Sequence, residues 1–363
     1  MIIAHNDDLL TEIFLWLPAK SLIRFKLVCK QWFSLISSQY FFNRRTLHHR
    51  RYKPEPTLLL GLPETSYYFH LKFRKYGEKL VPYNFSIPLT EQTILSFCNG
   101  LFLLQRRNVE NPLKHCQIYN PATKQSRKIL LNINHRNGTV MGLSLAFDPL
   151  KSPHYKIICV RGARRRSPAF WQSWWRCFQI EVYDSETRTW KLSGKTFRAP
   201  AGVRFNQGIY WKNGIHWRGI FFDLQDSLIG KHPEIVFPGD TGRDYLYDNY
   251  VESYGYLHYI AHMLKRKSVM VFELESDYSQ WTLKYRVDLN GDFGISVLSI
   301  IRGESEEDSA LVLHEPGKVM EYKFEEMSGK EIIDFREEAF YEEHCFQFES
   351  NFTFQFIETL APA

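Results

Sequence analysis

The sequence predicts a mainly β protein with a small α module at its N-terminus: three helices, then a β-propeller-like domain of antiparallel sheets. Three observations lead there. Apolar residues recur at helical spacing between Leu9 and Ile36. From Thr57 onward the chain becomes a succession of short runs rich in Val, Ile, Tyr, Phe and Trp, each bounded by Gly, Asn, Asp or Pro. Through those runs a strand–turn–strand pattern recurs at roughly 40 to 65 residues, the range of a four-stranded propeller blade with variable loops.

The helical module comes first. Leu9, Leu10, Ile13 and Leu17 form one stripe, and Leu22, Phe25, Cys29, Trp32 and Ile36 form a second. Pro18 stands between them. A proline is tolerated in the first turn of a helix but not in its interior, so the second helix is expected to start near it. Gln39 to Asn43 reads as a short third helix, and the basic run from Arg44 to Lys53 follows. The expected boundaries are therefore a helical module at 1–48, a basic linker at 49–56 and a sheet-rich domain at 57–362. Helices this short have too little interior for so many large apolar residues, so the surplus must face the next domain or a partner. Periodicity alone leaves both a docking module and a cap on the larger domain open.

In the β region, strands are expected at Thr57 to Leu62, Thr93 to Phe97, Leu101 to Leu104, Tyr155 to Val160, Phe178 to Tyr183, Gly208 to Trp211, Tyr256 to Ala261, Val269 to Leu274 and Phe352 to Ile357. Ile118 to Gln125, Val182 to Trp190 and Phe272 to Trp281 share one plan: a strand ends in Asn, Asp or Ser, a polar turn follows, and a new strand begins. Asn and Asp mark such turns because they bond their own backbone a residue or two on. Phe222-Asp223-Leu224 and Tyr322-Lys323-Phe324 are degenerate members. Asn213-Gly214, between Tyr210-Trp211 and Ile215-His216, is a two-residue hairpin signal.

The chain has 363 residues, of which 44% are hydrophobic and 16% aromatic, enough for a large core in which rings pack on pleated surfaces. Its net charge of +6 is concentrated around Arg44 to Lys53 and Arg161 to Arg166, whereas Glu321 to Glu343 is acidic. That mild excess implies no obligatory nucleic-acid role. The six cysteines form no CxxC pair and read as reduced, mostly buried thiols, which suits the cytoplasm or nucleus. No apolar run approaches the ~18 residues of a membrane span. The sequons at Asn84, Asn137 and Asn351 are then expected to stay unglycosylated.

Catalytic chemistry is not written here. Gly194-Lys195-Thr196 resembles the end of a P-loop, but Thr189 occupies the position of the first glycine, so no glycine-rich loop cradles a phosphate. No His-Glu-x-x-His, Gly-x-Ser-x-Gly or calcium loop occurs. No cofactor or metal is expected. The segment from Arg161 to Trp175 remains, with three readings. It is a solvated loop whose tryptophans pack on the sheet, a protein-target contact through Arg164, Arg165, Arg166, Trp171 and Trp174, or a nucleic-acid contact through stacking and phosphate bonds.

Asp8 to Ile13, Leu17 to Leu22, Arg24-Phe25 and Val28 to Trp32 resemble the F-box, the helical motif that holds a Skp-type adaptor in cullin-based ubiquitin ligases. The resemblance implies that Leu9, Leu10, Ile13, Pro18, Leu22, Val28, Cys29 and Trp32 face the adaptor. His5 and Asn6 depart from the Leu-Pro usual at the start of the motif, a change expected to weaken the first adaptor contact. Cys98-Asn99-Gly100, Asn120-Pro121, Phe147-Asp148-Pro149, the Asn213-Gly214 hairpin and the closing Glu358 to Pro362 resemble the F-box-associated interaction domain of plant F-box proteins. That resemblance covers Leu58 to Pro362 and implies a kelch-like propeller that selects a target protein. Together they imply a non-catalytic substrate receptor of a Skp-cullin-F-box ligase, with no membrane or nucleic-acid partner. The alternatives are a binding protein that works without the adaptor and a nucleic-acid module using the Arg161 to Trp175 segment.

Overall fold

The computed structural model describes residues 6–52, 57–61, 68–72, 83–84, 92–106, 115–131, 138–162, 175–200, 202–238, 245–263, 267–289, 295–303, 305, 307–326, 328–334, 353–355 and 357–363. Helix α1 (Asp7–Leu15) begins where Asn6, in extended backbone, turns its side-chain oxygen onto the N–H groups of Asp8 and Leu9 at 3.0 and 3.2 Å. Asp7 and Asp8 place negative charge in the first turn, where the helix dipole favours it. Helix α2 (Ala19–Phe25) opens on Pro18, whose φ of −58° suits a helix start and whose missing N–H is not needed there. Cys29 is extended, at φ −159°, and α3 (Lys30–Ser37) is a separate helix. Ser38 starts α4 (Gln39–Tyr52) by accepting the Phe41 N–H at 3.1 Å.

Two expectations change. The second apolar stripe is two helices rather than one, because the extended Cys29 ends the path begun by α2, making four α-helices among the described residues. The helix expected at Gln39 to Asn43 runs to Tyr52, so the basic run is helical through positions 49–52 rather than a linker there. Polarity hid this. Arg45 occupies a core position of α4 and is buried, because its guanidinium donates to Leu17 O at 2.8 Å and Leu15 O at 3.4 Å, carbonyls left open at the end of α1. Around it Leu10, Phe14, Leu15, Leu22, Ile36 and Phe41 form the module's core. The Phe14 ring lies 5.0 Å from Trp32 and 5.7 Å from Phe25.

Six four-stranded antiparallel sheets follow among the described residues. The first contains β1 (Thr57–Gly61), β2 (Tyr68–Lys72) and β3 (Tyr83–Asn84). The second is β4 (Gln92–Cys98), β5 (Leu101–Arg106), β6 (His115–Asn120) and β7 (Gln125–Leu130), and the third is β8 (Thr139–Ala146), β9 (Lys156–Gly162), β10 (Trp175–Asp184) and β11 (Thr189–Pro200). The fourth is β12 (Ile209–Trp211), β13 (Gly214–Trp217), β14 (Ile220–Asp223) and β15 (Ile229–Lys231). The fifth is β16 (Tyr245–Ser253), β17 (Tyr256–Met263), β18 (Ser268–Leu274) and β19 (Trp281–Asp288), and the sixth is β20 (Ser296–Ile301), β21 (Ala310–Glu315), β22 (Lys318–Lys323) and β23 (Ser328–Asp334). Then β24 (Thr353–Gln355) returns to pair with β1, Phe354 opposite Leu59, and completes the first sheet. The first strands β4, β8, β12, β16 and β20, then β24, touch in turn, so the sheets form the ring of a propeller.

Every sheet has a neighbour on both faces, which explains the unbroken apolar runs. Successive strand residues point to opposite faces. In β1, Leu58 and Leu60 pack against Leu298 and Val312 of the sixth sheet, while Leu59 packs with Ile94 and Phe102 of the second. In β18, Val269 and Val271 join Ile300 and Leu311, while Met270 and Phe272 join Trp211. The recurring turn seen in the sequence is the corner between the third and fourth strands of the second to sixth sheets. Lys124, Arg188 and Tyr278 sit there with φ near +60°, at 59°, 59° and 63°.

One buried polar chain joins the fourth and fifth sheets. His216 Nε2–H donates to Trp211 O at 3.0 Å, which leaves Nδ1 to accept from His232 Nε2–H, also at 3.0 Å. His232 Nδ1 accepts from the Tyr250 hydroxyl at 2.9 Å, and the Tyr250 oxygen accepts the Gly219 N–H at 3.2 Å. Each group is satisfied only if both rings are neutral, and burial holds His216 down to about 4 and His232 to about 3.

Candidate functional site

Helix α1 is apolar on two sides, and that decides what it offers to a partner. Leu10, Phe14 and Leu15 are in the module's core, whereas Leu9, Ile13 and Trp16, spaced along one helical face, are 46%, 49% and 63% exposed. The turn between α2 and α3 adds Leu27 and Val28, 85% and 60% exposed, with Cys29 beside them. Gln31 of α3 donates to the Asp7 carboxylate at 2.7 Å and ties the start of α1 to that turn. Trp16 is held in place from α4, its ring 4.4 Å from His48 and 4.9 Å from Tyr52.

The eight residues expected to face an adaptor therefore divide by what they touch. Leu9, Ile13, Pro18, Val28 and Cys29 are exposed. Leu10 and Leu22 are closed inside the core at 3% and 0% exposure, and a partner cannot reach them without unfolding the module. Trp32 is half-buried against Phe14. Trp16, Leu27 and Phe33 are large exposed apolar side chains missing from the expected set. For Trp16 the signal was available in its spacing from Leu9 and Ile13, a second stripe on a helix whose first stripe was already spoken for.

The module is fixed to the propeller through the C-terminal segment. Glu358 accepts the Ala19 N–H at 2.9 Å at the start of α2, and its charge stands near Arg45. Leu360 packs on the helical core and Phe42 on the core between the second and third sheets. The propeller holds the same segment from the other side. Buried Asn120 donates to Thr359 O at 3.0 Å and Ala361 O at 2.7 Å, while its oxygen accepts the Ala122 and Thr123 N–H groups. Gly100, at φ +89°, lets Ile357 O approach to where a Cβ would lie 2.4 Å away. Asn99 and Cys98 meet the Phe147 carbonyl at 2.7 and 3.2 Å. The separate motifs read from the sequence are one seam in space.

Antiparallel connectivity puts these turns, between first and second and between third and fourth strands, at one end of the sheets. The chain leaves β9 at Gly162 and re-enters β10 at Trp175 at the opposite end. Arg164, Arg165, Arg166, Trp171 and Trp174 lie outside the described residues. Arg161, grouped with them in the sequence, belongs elsewhere: it is buried in β9, with Nε 2.7 Å from Glu181 Oε2. It is spent on that pair and is no part of a basic surface. No group of three or more His, Cys, Asp or Glu that could hold a metal occurs among the described residues.

Comparison with known proteins agrees with this division. Residues 5–44 match the F-box domain family. F-box protein At5g07610 of Arabidopsis thaliana is 29% identical, over 99% of this chain and 93% of its own length. A putative F-box/kelch-repeat protein of the same plant, At3g17280, is 25% identical over 56% of this chain and 51% of its own length. Among solved structures, an oligogalacturonate lyase from Vibrio parahaemolyticus aligns over 74% of this chain and 71% of its own with a TM-score of 0.41 and 9% identity, too distant to carry an inference. The helical module thus carries an F-box domain, set on a β-propeller, and the chain as a whole is similar to Arabidopsis F-box proteins that include kelch-repeat ones.

Proposed function

We propose that this chain is the substrate receptor of a Skp-cullin-F-box ubiquitin ligase, acting in the cytoplasm, the nucleus or both. The observation that supports it most is the apolar face of Leu9, Ile13, Trp16 and Val28, left outside the core of a module that matches the F-box family. F-box domains typically bind Skp-type adaptors, and a soluble module gains by covering such a face. The helical module, proposed as 1–48, takes the adaptor and through it a cullin. The propeller, proposed as 57–362, takes a target protein at the end of the sheets away from the module, where Arg164, Arg165, Arg166, Trp171 and Trp174 stand in sequence. The chain supplies no catalytic group. It acts by raising the local concentration of a target lysine near a ubiquitin-charged enzyme.

The test is reconstitution. The full chain is co-expressed with a Skp-type adaptor and cullin, then isolated by its tag. Co-isolation of both at fixed stoichiometry is expected. A folded chain that leaves the adaptor behind would favour the reading in which it works without a ligase.

A further inference from the structure

The propeller's channel opens beneath the helical module into a cavity of about 780 Å³. Its roof includes Phe42 and Arg45 of α4 with Glu358 and Leu360 of the C-terminal segment, and its wall includes strands β4, β12, β16, β20 and β24. A concave site of this size between two units of structure is where small ligands are usually held.

The chemistry of the wall says what would fit. Its charges nearly balance: Arg45, Lys151 and Lys212 stand against Asp148 and Glu358, with Glu252 adding part of a negative charge. Arg45 faces Glu358, Lys151 lies 3.7 Å from Asp148, and Lys212 donates to Ser276 O at 2.7 Å, so each cation has an anion or a carbonyl beside it, while buried Arg45 Nε keeps one N–H without an acceptor among the described residues, open to a carbonyl or hydroxyl oxygen of an occupant. His49 in the roof is held down to about 4 by burial and is neutral. Several uncharged polar groups, by contrast, are uncommitted. The side-chain amides of Asn249 and Gln207 line the cavity and have no hydrogen-bond partner among the described residues. Glu252 accepts the Gly255 N–H on one oxygen at 2.7 Å, and burial lifts its carboxyl to about 7, so it stands partly protonated at neutral pH. Tyr210 and Tyr254 present rings beside these groups.

We infer that this cavity is a binding site for an uncharged, ring-bearing small molecule whose amide or hydroxyl groups meet Asn249, Gln207 and Glu252. Because the roof belongs to α4 and the C-terminal segment, the occupant touches both the module and the propeller. Its binding stabilises the seam between them.

The probe is nicotinamide, a neutral ring bearing an amide, with nicotinate as its anionic counterpart, titrated onto the full chain by saturation-transfer NMR. Nicotinamide is expected to bind at least about tenfold more tightly than nicotinate, about 1.4 kcal/mol. Asn249→Leu is expected to weaken nicotinamide about tenfold with circular dichroism and Tm unchanged. If that variant does not fold, Gln207→Leu serves the same purpose. Glu252→Gln, which mimics the neutral acid, keeps the affinity and loses its pH dependence between about pH 6 and about pH 8. No signal from nicotinamide, equal binding of the two probes, or full affinity in a folded Asn249→Leu or Gln207→Leu variant would each overturn the assignment.

Discussion

Replacing Leu9 and Ile13 together by alanine separates docking from folding, because the two side chains belong to α1 yet contribute little to its packing. They are 46% and 49% exposed, so roughly half of each side chain is left for a partner to cover. Full burial of such a side chain is worth about 1.5–3 kcal/mol, so the pair has about 2 kcal/mol still to give, or about 30-fold in Kd. Leu10→Ala is the counterpart on the inner face. It opens a cavity beside Phe14 and is expected to remove about 2–5 kcal/mol of stability. The assay is adaptor affinity by isothermal titration, with urea unfolding of each variant alongside. Leu9→Ala/Ile13→Ala should lose about 30-fold in affinity and no more than about 2 kcal/mol in stability, while Leu10→Ala should keep its affinity at a temperature where it is folded. Unchanged affinity in a folded Leu9→Ala/Ile13→Ala variant refutes the docking face. So does a Leu10→Ala variant that loses affinity at full stability.

Three further outcomes test the propeller. Both His216 and His232 have folded values far below the ordinary 6.5, so their contribution is complete above 6.5 and is lost as pH falls toward about 4 and about 3. At about pH 5 this amounts to roughly 2 kcal/mol for each ring. In His232→Gln the stability difference between about pH 7.5 and about pH 5 should shrink by roughly that amount, and an unaltered profile contradicts the neutral chain. Asn120→Ala leaves the carbonyls of Thr359 and Ala361 without their donor and should cost about 2–4 kcal/mol, read as a lower Tm and faster proteolysis at the C-terminal segment. Arg161→Met strands the buried Glu181 carboxylate and should cost about 3–5 kcal/mol, with Glu181→Gln similarly harmful. If Arg161 served a ligand instead, its replacement would leave Tm unchanged.

The parts of the fold that were legible share a physical cause. Strands such as Val269 to Leu274 stood out because both their faces are buried between sheets, so apolar residues run unbroken from Val269 to Phe272. The turns at Asn120, Asp184 and Leu274 revealed the repeat because one corner of each sheet demands the same backbone. What escaped the reading was polar or local in a way that periodicity does not register. Arg45 holds a core position through hydrogen bonds to carbonyls, so α4 looked shorter than it is. Cys29 breaks the second stripe by its backbone alone, with the stripe's spacing intact. Asn6, counted as a defect in the F-box pattern, is the N-cap of α1, a role its identity and position before Asp7-Asp8 could have signalled. The docking face was half legible. Spacing placed Leu9, Leu10 and Ile13 on the same helix, but only packing tells which side of it the module uses for itself.

Hydrogen exchange on the full chain with and without a Skp-type adaptor tests the proposal at its root. Slowed exchange confined to α1 and to residues 26–31, with the propeller unchanged, is the result expected of a docking face built on Leu9, Ile13, Trp16 and Val28. No change anywhere in the helical module, or protection found on the propeller instead, would contradict it.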